Sequence, residues 1–381
     1  MFKKMVLHLQ RKFIGKTETF IANQINALPL YRHYAFTVQH IEYLHNIAEV
    51  FAPPLPQNFL DLKFLSTKNK RYFKEKLFHL NVNIIHSHFL TDASFFHPFT
   101  REVNVPKVCS CYGYDVSEFP KKFGIFSKLY LSRVFEDYDL FLAMSNDMAG
   151  ELSKLGCPSE KIKIHYHGID TQRFNIIRTY RNQAGVINLL SIGRLEPKKG
   201  HLVVLKALKK IKLEYPEINL KYTIVGEGYL MNELCYYVTR NNLSEIVEFR
   251  GHINQGEEFN KILVHANIFL LPSVTPKNGN KEGIPGTIVE AMSSGLPVIS
   301  TYHAGIPHAI ENGVTGFLLE EYNHEGIAEC IVKLYYDEDL RQMIGQNAKR
   351  FAQKNLDLNT KATELERTYL NLIKSYNLSE V

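Results

Sequence analysis

The sequence predicts an α/β protein built from two Rossmann-like domains, each a parallel sheet, facing each other across a cleft. Three observations carry this. The 381 residues exceed what one ordinary core organises and suit two domains of roughly 180 residues each. Apolar runs of four to seven residues alternate with helix-length segments along the whole chain, the signature of βαβ units. The composition, 45% hydrophobic and 22% charged, is that of a folded globular chain. In the first half strands are predicted near Met5–Leu9, Ala35–Val38, Ile84–His88, Val108–Cys111, Leu140–Ala143 and Ile162–Tyr166. In the second half they fall at Ile187–Ile192, Leu220–Val225, Val247–Phe249, Ile268–Leu271 and Val298–Ser300. Helices are predicted between the second-half strands near His201–Leu213, Tyr229–Asn241, Gly256–Ala266 and Gly286–Ser294. The polar, aperiodic stretch Phe174–Gly185 reads as the linker. The expected division is therefore 1–180, 181–359, and an amphipathic closing helix within 360–381 that packs back on the first domain.

Charge separates the halves. Residues 1–180 carry +7 and residues 181–381 carry −1, so the first half is expected to meet an anionic partner or surface. No run approaches the roughly 18 apolar residues of a membrane span, and the opening Met1–Gln10 reads as a strand rather than a secretory signal. Five scattered cysteines suggest free thiols in the cytoplasm.

Ligands of open parallel sheets bind outside the carboxyl ends of the strands, so the chemistry is sought in the loops that follow them. The richest is Glu282-Gly283-Ile284-Pro285-Gly286 and on to Glu290, Gly295 and Pro297. Pro285 suits a first helical turn and Gly295 the left-handed position after the last. Gly283 and Gly286 leave main-chain amides open to an anion, with phosphate the usual guest of a helix N-terminus. Glu282 would repel phosphate and is expected to bind a hydroxyl attached to it. Glu290, about 12 Å along the helix, could meet a second hydroxyl pair such as a ribose. Together these describe a nucleotide-sugar; the alternative is a solvated cap residue and a surface glutamate. After Ile187–Ile192, the loop Gly193-Arg194-Leu195-Glu196-Pro197-Lys198-Lys199-Gly200 offers Arg194 and Lys199 to a diphosphate, with Lys198 expected to face solvent. Gly226-Glu227-Gly228 and Arg250-Gly251-His252-Ile253 end two further strands, as plain turns or as contacts to a nucleotide.

These residues resemble the retaining glycosyltransferases of sequence family 4, which have the GT-B fold. The resemblance rests on Gly193-Arg194…Lys199-Gly200, Val225-Gly226-Glu227-Gly228, and Glu282-x7-Glu290 followed by Gly295-x-Pro297-Val298. In the first half Thr17-Glu18-Thr19-Phe20-Ile21, His86-Ser87-His88-Phe89, Tyr112-Gly113-Tyr114-Asp115 and His167-Gly168-Ile169-Asp170 are similar to a branch that builds bacterial exopolysaccharides, such as colanic-acid-type enzymes. The resemblance implies that Glu282 contacts the donor sugar, Glu290 the ribose, and that Arg194 and Lys199 neutralise the diphosphate. It implies a UDP-sugar donor and a leaving phosphate oxygen that itself takes the acceptor's proton. The acceptor would be lipid-linked or a saccharide. Tyr112 stands where many members carry a histidine, and tyrosine is a poor acid or base near neutral pH.

On the acceptor side the candidates are His86, His88, Tyr112 and Asp115; the two histidines, on one strand face, could equally be structural. Gly15, in Gly15-Lys16-Thr17, could bring main-chain amides toward the diphosphate. No cofactor or metal is expected, because Asp137-Tyr138-Asp139 precedes its strand and reads as helix-end charge. Nucleic acid is not expected. Lys63, Lys68, Lys70, Arg71, Lys74 and Lys76, interleaved with Phe64, Tyr72, Phe73, Leu77 and Phe78, could touch anionic lipid at the inner face of the plasma membrane or form an ordinary solvated helix. Two other functions fit the same residues: an epimerase or hydrolase of nucleotide-sugars, and a non-catalytic nucleotide-sugar-binding partner of a polysaccharide assembly complex.

Overall fold

The computed structural model of the protein describes residues 3–14, 18–40, 48–52, 66–124, 126–178, 180 and 185–379. By its contacts the chain divides into two units, Met1–Gly168 with Leu358–Val381, and Ile169–Asp357.

The main sheet of the first unit has seven parallel strands, β1 (Lys4–Leu9), β2 (Tyr31–Phe36), β3 (Glu49–Phe51), β4 (Ile84–His88), β5 (Lys107–Ser110), β6 (Leu140–Ala143) and β7 (Ile162–Ile164), in the order β3-β2-β1-β4-β5-β6-β7, and Lys12–Phe13 pairs with Gln39–His40 beside it. β1 lies third, between β2 and the central β4, with Leu7 opposite Tyr34 on one side and Ile85 on the other. One face is packed by Phe36, Phe73, Phe96 and Phe99. The other is covered by the closing helix Leu358–Ser379, whose Ala362, Leu365, Tyr369 and Ile373 recur at helical spacing and pack on Val6, Ile84, Val108 and Leu142.

The second unit holds six, β8 (Ile187–Ile192), β9 (Leu220–Val225), β10 (Val247–Phe249), β11 (Ile268–Leu270), β12 (Val298–Thr301) and β13 (Gly316–Leu319), in the order β10-β9-β8-β11-β12-β13, also parallel. Val204, Leu208 and Ile211 of the helix His201–Glu214 line up at i, i+4 and i+7 and are buried in its core. In both sheets the order runs outward from the first strand and then reverses. The loops after β8 and β11 therefore flank a switch point, where such sheets bind ligands.

The strands β4, β6, β8, β9 and β10 have the bounds the sequence predicts, whereas β3 and β13 were not anticipated. The stretch expected to be a linker is bolted down as far as Tyr180. Phe174 is buried, and Arg178 donates to the carbonyls of Leu263 (2.6 Å), Ala266 (2.5 Å), Val264 (3.2 Å) and Ser294 (3.0 Å). Tyr180 donates to Gly295 O at 2.9 Å. Those bonds put residues 169–180 in the second unit, and the division falls at Gly168.

Candidate functional site

The loop after β8 turns inward through buried Leu195, makes a single 3₁₀ turn at Pro197–Lys199, and enters the helix His201–Glu214. Val274 N donates to Lys198 O at 2.9 Å, docking this loop on the one that follows β11. Lys199 Nζ thereby stands 2.8 Å from Glu282 Oε1, with side chains 12% and 11% exposed. Lys198, expected in solvent, is equally buried. Its ammonium lies 3.7 Å from Glu282 and 3.4 Å from Asn280 Oδ1, because the 3₁₀ turn swings both lysines to the same side. Burial alone would raise the Glu282 carboxyl, but Lys199 and Lys198 outweigh it and bring its pKa down to about 2. Burial lowers the Lys198 ammonium, and Glu282 opposes the shift. Arg194 points elsewhere: its guanidinium, 58% exposed, pairs with Glu196 at 2.7 Å.

Glu282 is also held by its backbone. Its N–H donates to His303 Nε2 at 3.1 Å, which fixes the His303 proton on Nδ1, facing Glu321 Oε1 at 2.6 Å. Glu321 in turn accepts from Thr275 N (2.7 Å) and Thr275 Oγ1 (2.9 Å). Gly305, two residues after His303, lets its loop lie against Gly283; a Cβ there would be 2.6 Å from Gly283 O. Sequence reasoning missed His303 and Glu321. The loop rule pointed at the carboxyl end of β12, where His303 lies, but no motif there had marked it.

Pro285 is the N-cap of the helix Gly286–Ser293, one position before the first turn expected for it, and no side chain caps that helix. Ile284 is buried, while Gly283 and Gly286 are partly open. Glu290, 5% exposed, accepts from Gln255 Nε2 at 2.6 Å, and Arg173 holds Gln255 in place through bonds of 3.1 Å. The other oxygen, Oε2, is buried and meets no donor among the described residues. Burial raises this carboxyl to about 7, against the pull of Arg173 and Gln255.

The remaining second-unit candidates form adjoining turns. Gly226, at φ +142°, lies so close to Gly193 that a Cβ would come within 2.1 Å of its carbonyl oxygen. Its N–H donates to Gly251 O at 2.7 Å. Glu227 accepts from His252 N at 3.4 Å, the His252 ring bonds Asn254 at 3.1 Å, and Arg250 pairs with Glu248 at 2.9 Å. Glu227, Arg250 and His252 are exposed, and Ile253 is half-buried.

On the acceptor side the structure corrects three candidates. His86 and His88 are fully buried and every ring nitrogen is taken: His86 by Ser110 Oγ (2.8 Å) and Tyr369 OH, His88 by His8 Nδ1 (3.0 Å) and Tyr112 OH (2.8 Å). Asp115, also buried, accepts the N–H groups of Leu90 (2.8 Å), Tyr112 (3.0 Å) and Gly113 (3.0 Å). It shapes the two loops and offers nothing to a ligand. Tyr112 remains half-exposed. A sheet covered on both faces leaves neither side of β4 open, so strand alternation could not tell a site from a core.

His8, His86 and His88 place nitrogens within 4.8 Å of one another. A one-way chain accounts for the spacing along the His8 branch. Leu28 O can only accept, so His33 Nε2 donates to it (3.1 Å), His8 to His33 (3.0 Å), His88 to His8, and Tyr112 to His88. Burial keeps these imidazoles neutral, lowering His86 to about 3 and His8 and His88 well below their ordinary value. Asp137 and Asp139 are structural, on Lys107 Nζ (3.0 Å) and Lys107 N (2.7 Å). Gly15, Lys63 and Phe64 lie outside the described residues. In the helix Thr67–Leu80, Phe73 and Leu77 face the core, Phe78 is exposed, and Arg71 and Lys74 pair with Glu75 and Glu102. Among the described residues no helix is long and apolar enough to cross a membrane.

Two family models cover the chain in succession: Glycosyltransferase Family 4 over residues 3–173 and Glycosyl transferases group 1 over residues 173–351. Among curated proteins, the chain is 36% identical over 197 residues to the putative colanic acid biosynthesis glycosyltransferase WcaL of Escherichia coli, covering 52% of this chain and 48% of that one. It is 37% identical over 207 residues to the amylovoran biosynthesis glycosyltransferase AmsK of Erwinia amylovora, covering 54% and 50%. The chain thus spans about half the length of the curated relatives it matches. Among solved structures, a glycosyltransferase from Rickettsia africae superposes with TM-score 0.80 at 20% identity over 98% of this chain and 100% of that one. Anabaena HepE in complex with UDP and glucose superposes with TM-score 0.75 at 20% identity over 96% and 99%. With two parallel sheets of this order and both halves matched, the chain belongs to the family-4 glycosyltransferases of the GT-B fold.

Proposed function

We propose that the protein transfers a sugar, with retention of anomeric configuration and without a metal, from a UDP-sugar to a hydroxyl of a saccharide or lipid-linked acceptor in the synthesis of a bacterial surface polysaccharide. The observation that carries this reading is the buried Lys199–Glu282 pair at the uncapped helix start, with the unpartnered Glu290 oxygen on the helix that follows. A diphosphate suits the lysine and the helix amides, and hydroxyl groups suit the two carboxylates. The named roles of WcaL and AmsK, and the UDP and glucose in HepE, support the substrate class.

The step breaks the bond from the sugar's anomeric carbon to the diphosphate and forms one from that carbon to the acceptor oxygen on the same face. The acceptor's proton goes to the departing phosphate oxygen. Lys199, Arg194 and the amides at Gly283–Gly286 stabilise the charge that develops there, a contribution of several kcal/mol in a site that excludes water. The test is UDP release from a panel of UDP-sugars with membrane extract as acceptor, with product stereochemistry read by NMR. Transfer with retention that persists in EDTA supports the reading. Release of free sugar or an epimer from donor alone, or loss of activity in EDTA, overturns it. The reaction is assigned to the cytoplasmic face of the membrane, where Phe78 and the lysines of Thr67–Leu80 meet anionic lipid. Flotation with anionic vesicles that survives replacement of Lys68, Lys70 and Lys74 by Glu would refute that contact.

A further inference from the structure

With His86, His88 and Asp115 occupied inside the first unit, the acceptor needs another set of contacts, and the described residues of that unit contain one. A cavity of about 350 Å³ opens between the end of β1 and the helix Leu90–Thr100, with Arg11, Asp92, Gln10, Glu18, Phe89 and Tyr114 in its wall. That volume lies at the small end of the range for small-molecule sites.

Arg11 is the distinctive group. Asp92, buried at the foot of the cavity, accepts both from Arg11 N at 2.9 Å and from Arg11 Nε at 2.5 Å, so backbone and side chain of one arginine are fixed by one carboxylate. The guanidinium also lies over the Phe95 ring, 5.7 Å from its centroid. It is 35% exposed, and its two terminal nitrogens make no hydrogen bond among the described residues. A planar fork held by its inner edge and open at its outer edge is built to take two oxygens of one anion. Beside it, Gln10 donates to Glu18 at 2.7 Å and leaves its own Oε1 buried without a donor. Tyr114, 42% exposed, contributes an aromatic surface.

We propose that this cavity is the acceptor subsite and that it takes a sugar carrying an anionic group, carboxylate or phosphate, with two of its oxygens on the outer edge of Arg11. Hydroxyl groups of the same sugar donate toward Gln10 and Glu18, and its apolar face lies on Tyr114. The proposal rests on the glycosyl-transfer reading, and its test separates the two.

With UDP at saturation to fill the donor site, binding of glucuronate, glucose 1-phosphate and methyl glucoside is followed by saturation-transfer NMR, and that of inorganic phosphate by broadening of its phosphorus NMR line. The proteins are the wild type, Arg11→Lys, and the double variant Arg11→Met with Asp92→Asn, which removes both charges so that none is left buried alone. At least one acidic sugar binds the wild type and weakens about tenfold or more in both variants, with methyl glucoside much weaker throughout. Glucuronate alone assigns the anion to a carboxylate; glucose 1-phosphate together with inorganic phosphate assigns it to a phosphate. Equal binding of methyl glucoside, no binding of either acid, or binding unchanged in Arg11→Lys and the double variant overturns the proposal. The thermal shift produced by UDP, measured on the same samples, reports the donor site separately; its absence in the wild type would count against the transferase reading and leave the Arg11 comparison standing.

Discussion

Replacing Glu290 by Gln should make the second unit more stable and bind nucleotide less well, an uncommon pairing of signs. The carboxyl is buried, one oxygen has no donor, and its pKa stands at about 7 against an ordinary 4.5. A raised carboxyl pKa means that the folded state holds its proton between pH 4.5 and 7 while the unfolded state has lost it. Folding stability from this group therefore falls as pH rises through that window, and above it the ionised group costs on the order of 3 kcal/mol. Gln has the same shape, can still accept from Gln255, and carries no charge to bury. At pH 8 the variant should melt about 6–12 °C higher in a unit of this size, and the gap should close toward pH 4.5. UDP should bind about 10- to 100-fold more weakly, since a ribose hydroxyl pair gains most from a charged acceptor. Thermal unfolding from pH 4.5 to 8.5, with and without UDP, measures both. A variant that is less stable at pH 8, or one stabilised with UDP affinity unchanged, would refute the reasoning.

Two further substitutions address the Lys199–Glu282 centre. Lys199→Ala should lower turnover about 100-fold and destabilise the unit by up to about 3 kcal/mol, because it leaves the buried Glu282 carboxylate with Lys198 alone, 3.7 Å away; adding Glu282→Gln should restore the melting temperature but not the activity. Recovery of turnover in that double variant would remove Lys199 from the chemistry. His303→Leu leaves the Glu282 N–H and Glu321 without their shared partner and should cut kcat about 10- to 100-fold, with the UDP Kd within about threefold of wild type. An unchanged kcat would show that the histidine does not position Glu282.

The parts of this molecule that were legible from sequence are those set by short-range pattern. The strands Ile187–Ile192 and Leu220–Val225 announce themselves as bounded apolar runs, and Pro285, Gly295 and Pro297 delimit the short helix behind Glu282. What stayed hidden depends on how distant loops meet. Lys198 reads as solvent-facing until the docking of Val274 on its carbonyl shows which way the 3₁₀ turn faces. His303 reaches Glu282 across 21 residues and Glu321 across 18, separations that no local window covers. His86 and His88 misled for a different reason. Period-two alternation marks an exposed face only when one side of the sheet is open, and β4 has neither side open, with Tyr369 of the closing helix bonded to His86.

The charges around Glu282 also constrain how the proposed reaction handles its proton. Arg194 and Glu196 pair at the surface, a contact worth at most about 1 kcal/mol, so the arginine can leave it for a diphosphate at little cost. The pair of Lys199 with Glu282 is different: both groups are buried, and separating them would leave the carboxylate with Lys198 alone, 3.7 Å away, at a cost of up to about 3 kcal/mol. Lys199 has three N–H donors, so it can keep Glu282 and still reach a phosphate oxygen. Glu282 therefore meets the sugar as a carboxylate already claimed by an ammonium, with a pKa of about 2. A group that acidic can orient a hydroxyl but holds a proton too weakly to serve as a general base near neutral pH. On the acceptor side His88 is bonded at both ring nitrogens and the Tyr112 hydroxyl already donates to it, while burial lowers His167, whose ring lies 6.5 Å from that of Tyr112, to about 3, too weak a base to hold the proton near neutral pH. With these bases removed from consideration, the most basic atom within reach of the acceptor hydroxyl at the moment of bond breaking is the phosphate oxygen that the sugar is leaving. In the proposed reaction the same arrangement would put attack and departure on one face, because the leaving oxygen must stay beside the incoming one to receive its proton.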